Sequence, residues 1–297
     1  MDLMLVALSL GSAFCFALAL VLAVFGLRES AGAVGPMAGA GVSIPVTAAL
    51  FLALSPATVD LSGYDPRGAA VFAAAGLFYP VAVTWLTFAS NRRLGPNLTG
   101  ALGNLAPLFA VAAAAAWLGQ TPSLGQGIGV AAICGGASLL FLRGRGAASV
   151  ERAATAALLL PLAGAALRGL AQPVASYGLL AWPDPFAAAL IGYLVSAAIV
   201  LAVVRGLPRL RGARAAAMPG RAWLWFAATG VSNGAAVLLL YAALARGPVA
   251  VVAPLVACYP VMTLALNRAV HRDRSLDART GLGVAAMAAG VAMLLAA

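Results

Sequence analysis

Ten long apolar segments follow one another along this chain of 297 residues, and short stretches rich in charge, proline or glycine separate them. Lipid offers no hydrogen-bond partner to the backbone, so a segment that crosses about 30 Å of hydrocarbon must form a helix of roughly 20 residues. Hydrophobic residues make up 63% of the chain and its mean hydropathy is +1.01, which excludes an ordinary soluble fold. The sequence therefore predicts an all-α integral membrane protein with ten transmembrane helices.

The breaks in hydropathy give the bounds of these helices. Sequences such as SPATVDLSGYDPRG at 55–68 and NRRLGP at 91–96 are typical of loops, because they combine charge with proline and glycine. The first segment lacks a basic leader and a cleavage site, so we expect it to be the first span and not a signal peptide. The predicted helices are 3–26, 32–54, 68–90, 96–118, 124–142, 155–178, 185–204, 222–244, 248–267 and 280–297.

Arginines are distributed unevenly between the two sets of loops. Fifteen of the 18 basic residues lie in loops that follow odd-numbered spans, whereas Arg67 and Arg246 lie in loops that follow even-numbered spans. By the positive-inside rule the arginine-rich loops face the cytoplasm, which places both termini outside. We therefore expect a multi-pass protein of the inner, or plasma, membrane. We attribute the net charge of +10 to contact with membrane lipid and not with nucleic acid.

The two halves of the sequence resemble each other. Residues 127–140 match residues 281–294 at seven of fourteen positions, and Gly95-Pro96 and Pro107 find counterparts in Gly247-Pro248 and Pro260 at nearly the same spacing. These matches predict one polytopic membrane domain built from two five-helix repeats, at 1–146 and 147–297. Because each repeat crosses the membrane an odd number of times, the two copies are expected to lie in opposite senses across the bilayer.

Two segments carry a resemblance to a known family. WLGQTPSLGQGIGVAAICGGASLL at 117–140 and DRSLDARTGLGVAAMAAGVAML at 273–294 are similar to the drug/metabolite transporter superfamily in its ten-helix form with two EamA-type repeats. The resemblance implies a secondary transporter. Members of the family often carry a glutamate where span 4 ends, whereas this sequence has Gly119-Gln120 there.

The acidic residues lie outside the predicted membrane interior. A proton-coupled exporter of cations usually needs a carboxylate within the membrane, so their placement favours a neutral, zwitterionic or anionic substrate. The sequence contains no nucleophile, ATP-binding or metal-binding motif, and we therefore predict no enzymatic activity, no cofactor and no metal. The eight acids are Asp2, Glu29, Asp60, Asp65, Glu151, Asp184, Asp273 and Asp277.

Arg168 lies about fourteen residues into the sixth predicted span, in the apolar sequence AALRGLAQPV. An arginine at this depth costs roughly 2.5 to 3.5 kcal/mol to insert, so its side chain must reach water or a polar partner. One hypothesis is that it extends to the membrane surface or binds helix-end carbonyls. The other is that it binds a substrate carboxylate or phosphate, with Gln172 on the same helical face. Pro161 and Pro173 are expected to loosen the helix around it.

Other polar and aromatic residues fall near the middle of predicted spans. Asn104 and Asn233 either form hydrogen bonds between helices or line a central cavity. Tyr79 and Tyr259 each precede a proline and so predict bends beside a polar ring. With Trp85 they are either packing residues or an apolar wall for the substrate.

These observations lead to one function and several alternatives. We predict an exporter of amino acids or similar small metabolites that works as a monomer by alternating access and binds a carboxylate or other anionic group. The alternatives are a flippase for a phosphate-bearing lipid carrier and a membrane scaffold without transport activity. The predicted substrate-binding residues are Arg168, Gln172, Asn104, Asn233, Tyr79, Trp85 and Tyr259.

Overall fold

A computed structural model describes residues 2–30, 36–141, 155–210, 220–271 and 278–296 of the chain. Within these ranges the ordered elements are helices, and strands do not occur. The helices are α1 (Leu3–Glu29), α2 (Pro36–Thr58), α3 (Pro66–Phe78), α4 (Val81–Gly103), α5 (Ala106–Leu118), α6 (Leu124–Phe141), α7 (Thr155–Ala181), α8 (Pro185–Leu210), α9 (Gly220–Leu244), α10 (Val249–Val256), α11 (Tyr259–His271) and α12 (Ala278–Ala296).

These helices make up ten spans, as the sequence predicts. In the described part of the chain, nine helical segments are long and apolar enough to cross a membrane, and Leu124–Leu140 in α6 is a shorter apolar helix. Several helices run a few residues beyond their predicted ends, and α8 continues to Leu210. The predicted boundary between the repeats, at residues 146 and 147, lies outside the described residues.

Three spans are broken near their middle. Span 3 breaks at Tyr79-Pro80 between α3 and α4, and span 9 breaks at Ala257-Cys258 between α10 and α11. Both breaks confirm the bends predicted at the tyrosine-proline pairs. Span 4 breaks at Asn104-Leu105, which the sequence analysis did not predict. In spans 4 and 9 a proline, Pro107 or Pro260, occupies the second position of the next helix, where its missing N–H costs nothing.

Two local predictions are wrong. The sequence NRRLGP at 91–96 is helical and belongs to α4, so helical turns and not an extended loop connect spans 3 and 4. Conversely, α7 is one continuous helix that includes Pro161 and Pro173, which were expected to loosen it. Neighbouring helices pack along α7 and can hold a proline-containing helix together in spite of the lost hydrogen bonds.

The glycines of α6 and α12 show the inverted symmetry directly. A Cβ added at Gly129 would lie 2.8 Å from the carbonyl oxygen of Gly290, and one added at Gly136 would lie 2.6 Å from that of Gly283. Because the lower-numbered residue of α6 meets the higher-numbered residue of α12, the two helices are antiparallel. Since α6 and α12 are equivalent spans of the two repeats, the repeats lie in opposite senses, as predicted.

A second pair of contacts extends this symmetry to other spans. The ring of Phe226 in α9 packs against Gly26 of α1, and the ring of Phe72 in α3 packs against Gly178 of α7. The two glycines are 152 residues apart and the two phenylalanines 154 apart, so each contact repeats the other. The breaks in spans 4 and 9 are likewise 153 residues apart. The contacts that join the two repeats therefore obey the same two-fold relation as the repeats themselves.

Candidate functional site

A cavity of about 280 Å³ lies at the centre of the molecule, between the two repeats. All three helix breaks contribute to its wall, together with residues of α1, α2, α7, α8 and α9. A broken helix exposes backbone and side-chain polar groups that a continuous span would cover, and transporters commonly place such breaks at their binding sites. The polar residues of this central cavity are Ser43, Thr47, Tyr79, Thr84, Thr87, Asn104, Arg168, Gln172, Tyr193, Thr229, Asn233, Tyr241 and Tyr259.

Arg168 supplies the positive charge in the wall of the central cavity. It is the fourteenth residue of α7, and its side chain is half-buried. Throughout the described ranges no side chain or carbonyl forms a hydrogen bond or ion pair with its guanidinium, which interacts electrostatically with the Tyr79 hydroxyl. The described lining contains no aspartate or glutamate. The cavity is therefore cationic and has no built-in counterion among these residues.

Two buried amides lie in the same wall. Gln172 follows Arg168 by one helical turn, its side chain is only 7% exposed, and no residue that the structure describes forms a hydrogen bond with its Oε1 atom. Asn104, at the break in span 4, is 2% exposed. Its Oδ1 accepts a 2.9 Å hydrogen bond from the Tyr259 hydroxyl, whereas its Nδ2 finds no acceptor in the described part of the chain. Unpaired buried polar atoms are costly, so these two are candidates for contacts with a bound solute.

The structure brings six of the seven predicted residues to the central cavity and leaves one outside. Tyr79, Asn233 and Tyr259 line it together with the arginine and the two amides. Trp85 does not, and its side chain is 55% exposed on the outer surface of the bundle. On α4 the lining residues include Thr84 and Thr87; at about 100° per residue Trp85 points away from them. We therefore remove Trp85 from the site.

Several lining residues were missed by the sequence analysis. Tyr193 and Tyr241 are buried in α8 and α9 and add two more phenol rings to the wall. Neither precedes a proline, so the signal that identified the other two tyrosines was absent. Tyr193 lies near the middle of its predicted span, which was the available signal, whereas Tyr241 lies three residues from the end of its span and had no such signal.

Hydroxyl groups of the first repeat complete the polar lining. Thr47 donates to the Ser43 carbonyl at 2.9 Å, and Thr84 donates to the Pro80 carbonyl at 2.8 Å. Each hydroxyl proton is thus used within its own helix, and the hydroxyl oxygen keeps its capacity to accept.

The central cavity extends toward one end of the molecule. On α1 its lining residues lie in the second half, from Phe16 to Leu27, which is followed by Arg28. On α2 and α9 the lining includes Gly39 and Phe226, both near the start of their helices. These ends belong to the set of loops that contains fifteen of the arginines. The cavity therefore reaches from the middle of the bundle toward the arginine-rich end.

An aromatic layer closes the opposite end. The Phe51 ring packs edge-on against Phe186 at a centroid distance of 5.3 Å and against Tyr193 at 5.5 Å. Behind this layer Trp182 donates from Nε1 to the Asp60 carbonyl at 3.2 Å. The backbone N–H of Asp60 in turn donates to the buried carboxylate of Asp184 at 2.9 Å. Packed rings and a hydrogen-bonded loop thus seal this side.

Gln120 occupies the position where the related superfamily often carries a glutamate. Its Oε1 atom accepts a 2.8 Å hydrogen bond from the backbone N–H of Val249, the first residue of α10. The first N–H groups of a helix have no partner within the helix, so the amide oxygen satisfies one of them. Gln120 therefore connects the end of span 4 to the start of span 9.

Comparisons with known proteins agree with this architecture. The sequence model of the EamA-like transporter family matches residues 3–142 and again residues 155–296. None of the curated proteins compared with the chain matches its sequence. Among solved structures 26 chains match. One of them is a crystal structure of a protein whose sequence is 18% identical to this chain. The superposition covers 97% of this chain and 95% of that protein, with a TM-score of 0.77. At this identity the likeness shows the fold alone.

Proposed function

Because the chain belongs to the EamA-like transporter family, a family of transporters and not of enzymes, we propose that it exports amino acids or similar small carboxylate-bearing metabolites. It does so as a secondary transporter of the inner membrane, by alternating access between its two repeats. A single chain provides both repeats and the complete cavity wall, so the transporting unit is a monomer.

The observation that carries this proposal is the unpaired charge of Arg168. A guanidinium in the membrane interior needs a polar partner, and in the described structure Arg168 faces a cavity without a carboxylate. A substrate carboxylate fits this role because its two oxygens match the planar fork of the guanidinium. The substrate thus supplies the counterion that the cavity lacks.

The remaining lining residues provide a polar environment for one part of the substrate and an apolar environment for the other. Gln172, Asn104 and Asn233 hydrogen-bond its polar groups, and Tyr79 and Tyr259 contact the rest. The volume of about 280 Å³ corresponds to roughly nine water molecules, which suits a solute of amino-acid size.

The shape of the cavity and the distribution of arginine support the proposed direction of transport, from the cytoplasm outward. The cavity extends toward the arginine-rich end, which faces the cytoplasm under the positive-inside rule. The structure then represents a form that loads substrate from the cytoplasm while the layer around Phe51 blocks the outer side. Opening of this layer with closure of the inner end releases the substrate outside.

A flux experiment with two arginine variants tests the proposal. Purified protein in liposomes is given a mixed pool of amino acids, hydroxy acids, simple carboxylates and amines, and uptake is measured by mass spectrometry. We expect Arg168→Gln to lower carboxylate flux at least about thirtyfold, the equivalent of about 2 kcal/mol lost with the charged contact. Arg246→Gln is the matched control, because Arg246 is half-exposed and only 3.9 Å from Asp2 at the molecular surface.

Two outcomes would contradict the proposal. Equal carboxylate flux in Arg168→Gln and wild type would show that the arginine has a structural role. Movement of a phosphate-bearing lipid without any carboxylate flux would favour the flippase alternative, in which Arg168 binds a phosphate.

A further inference from the structure

Building on the proposed function, we propose that the central cavity selects carboxylates that carry an uncharged hydrogen-bond donor beside the carboxylate. A 2-hydroxy acid is then a better substrate than the amino acid or the unsubstituted acid with the same carbon skeleton. Three features of the wall around Arg168 support this selectivity: the amide of Gln172, the amide of Asn104 and the absence of an acidic residue from the described lining.

Gln172 lies in the right place to contact the 2-substituent. Residues four apart on a helix are neighbours on one face, about 5 to 6 Å apart at their Cβ atoms, so Gln172 is next to Arg168. A carboxylate bound by Arg168 has its second carbon one bond further away, within reach of the Gln172 side chain. The Oε1 atom there is buried, and no described residue donates a hydrogen bond to it. A hydroxyl group on that carbon satisfies it.

An ammonium group at the same position is less favourable. It would add a second positive charge beside Arg168, and the described lining offers no carboxylate to neutralise it. The rings of Tyr79 and Tyr259 can attract a cation through their faces, but this attraction recovers only part of the lost hydration. A hydroxyl group needs one acceptor and no counterion. The site therefore favours a net charge of minus one on the solute.

The unsubstituted acid carries no extra charge, but it also lacks a hydrogen-bond donor at the second carbon. It can pair with Arg168 but offers no donor to Gln172, whose oxygen stays buried without a partner. The Nδ2 atom of Asn104 is also unpaired, and a carboxylate or hydroxyl oxygen can accept from it. The order of preference is therefore hydroxy acid first, with the unsubstituted acid and the amino acid both well behind.

A matched set of three acids tests this order in the liposome assay. The probes are 2-hydroxy-4-methylpentanoate, leucine and 4-methylpentanoate, which share one carbon skeleton and differ only at the second carbon. We expect the hydroxy acid to reach half-maximal flux at about tenfold lower concentration than either of the others, since a buried unpaired polar atom costs that much.

Two substitutions at Gln172 attribute the preference to this side chain. In Gln172→Leu we expect the advantage of the hydroxy acid over 4-methylpentanoate to fall below about twofold, because the acceptor is gone. In Gln172→Glu a carboxylate replaces the amide, and the ratio of leucine to hydroxy-acid flux should rise at least about fivefold. Melting temperatures and gel-filtration profiles show whether each variant is folded, and the two substitutions give independent readouts.

The outcomes separate this inference from the proposed function. Equal flux of leucine and its hydroxy analogue, lost in Arg168→Gln, would overturn the inference and leave the proposed carboxylate transport intact. An unchanged preference in a folded Gln172→Leu protein would overturn it as well. Failure of all three acids to move would overturn the proposed function, and the inference with it.

Discussion

The two repeats share one scaffold but differ in the chemistry that they bring to the central cavity. Gly26 and Gly178, at equivalent positions of α1 and α7, each receive a phenylalanine ring from the neighbouring span. Counted from these glycines, Phe16 is the counterpart of Arg168 and Leu20 is the counterpart of Gln172, at the same spacing of 152 residues. All four residues line the cavity. The wall formed by α7 is thus cationic and polar, whereas the equivalent wall formed by α1 is apolar.

The same asymmetry is found at the broken helices. Asn104 corresponds to Ala257 and Ala106 corresponds to Tyr259, each pair 153 residues apart, and all four line the cavity. Each repeat therefore contributes one polar member to the 2.9 Å hydrogen bond between Tyr259 and Asn104. The comparison shows that helix packing and backbone breaks are repeated, whereas the polar groups are not. Because the charged group belongs to one repeat only, we expect the proposed carboxylate substrate to bind in one preferred orientation.

The largest expected effect comes from moving the charge between the two walls. We expect Arg168→Phe to weaken binding of a carboxylate about a hundredfold or more, because a charge-assisted pair is lost. Adding Phe16→Arg to this variant places a guanidinium at the equivalent position, and we expect it to recover at least about tenfold. Binding is measured by calorimetry on detergent-solubilised protein with 2-hydroxy-4-methylpentanoate.

The control for this exchange is Phe16→Gln in the Arg168→Phe background, which adds polarity without charge and should recover little. If Phe16→Arg also recovers nothing although the protein is folded, the walls are not interchangeable. The amides and not the guanidinium alone would then define the polar wall.

A smaller effect, on stability, is expected at the contact between α6 and α12, where the two repeats are equivalent. Gly136→Leu introduces a side chain into the contact with Gly283 and should destabilise the protein by about 1 to 3 kcal/mol. Gly290→Leu should cost a similar amount, because its backbone contact with Gly129 is the symmetric copy. Gly135→Leu is the matched control, since a Cβ there meets no atom within 4 Å. Stability is measured by thermal unfolding in detergent, and an equal loss in Gly135→Leu would contradict this packing.

Much of the architecture could be predicted from the sequence, because the signals are local and repeated. Lipid forces each apolar segment to satisfy its own backbone, so hydropathy alone predicts ten spans. The prolines after Tyr79 and Tyr259 predict two breaks, because proline removes a backbone donor wherever it occurs. The charge at Arg168 identifies the cavity, because the insertion cost of arginine in lipid demands a polar environment.

The errors concern features that depend on neighbouring helices. Trp85 shares its span with Tyr79, but its direction depends on the phase of α4 after the break, which hydropathy does not report. The break at Asn104-Leu105 lies two residues before Pro107 and was hidden within an apolar run. Tyr193 has no local signal beyond its depth in the membrane, and Tyr241, three residues from the end of its span, lacks even that. Which residues face one another is decided by packing between spans.

The smallest expected effect concerns the hydrogen bond that joins the two repeats in the wall. In Tyr259→Phe the Oδ1 atom of Asn104 loses its donor, and we expect carboxylate binding to weaken about threefold to tenfold. The counterpart of Tyr259 is Ala106, so no hydroxyl lies at the equivalent position of the first repeat. Trp85→Phe is the control, and because Trp85 lies outside the cavity we expect less than about a twofold change. Calorimetric titration of both variants measures this difference. Unchanged binding in Tyr259→Phe would mean that the bound substrate does not depend on how Asn104 is held.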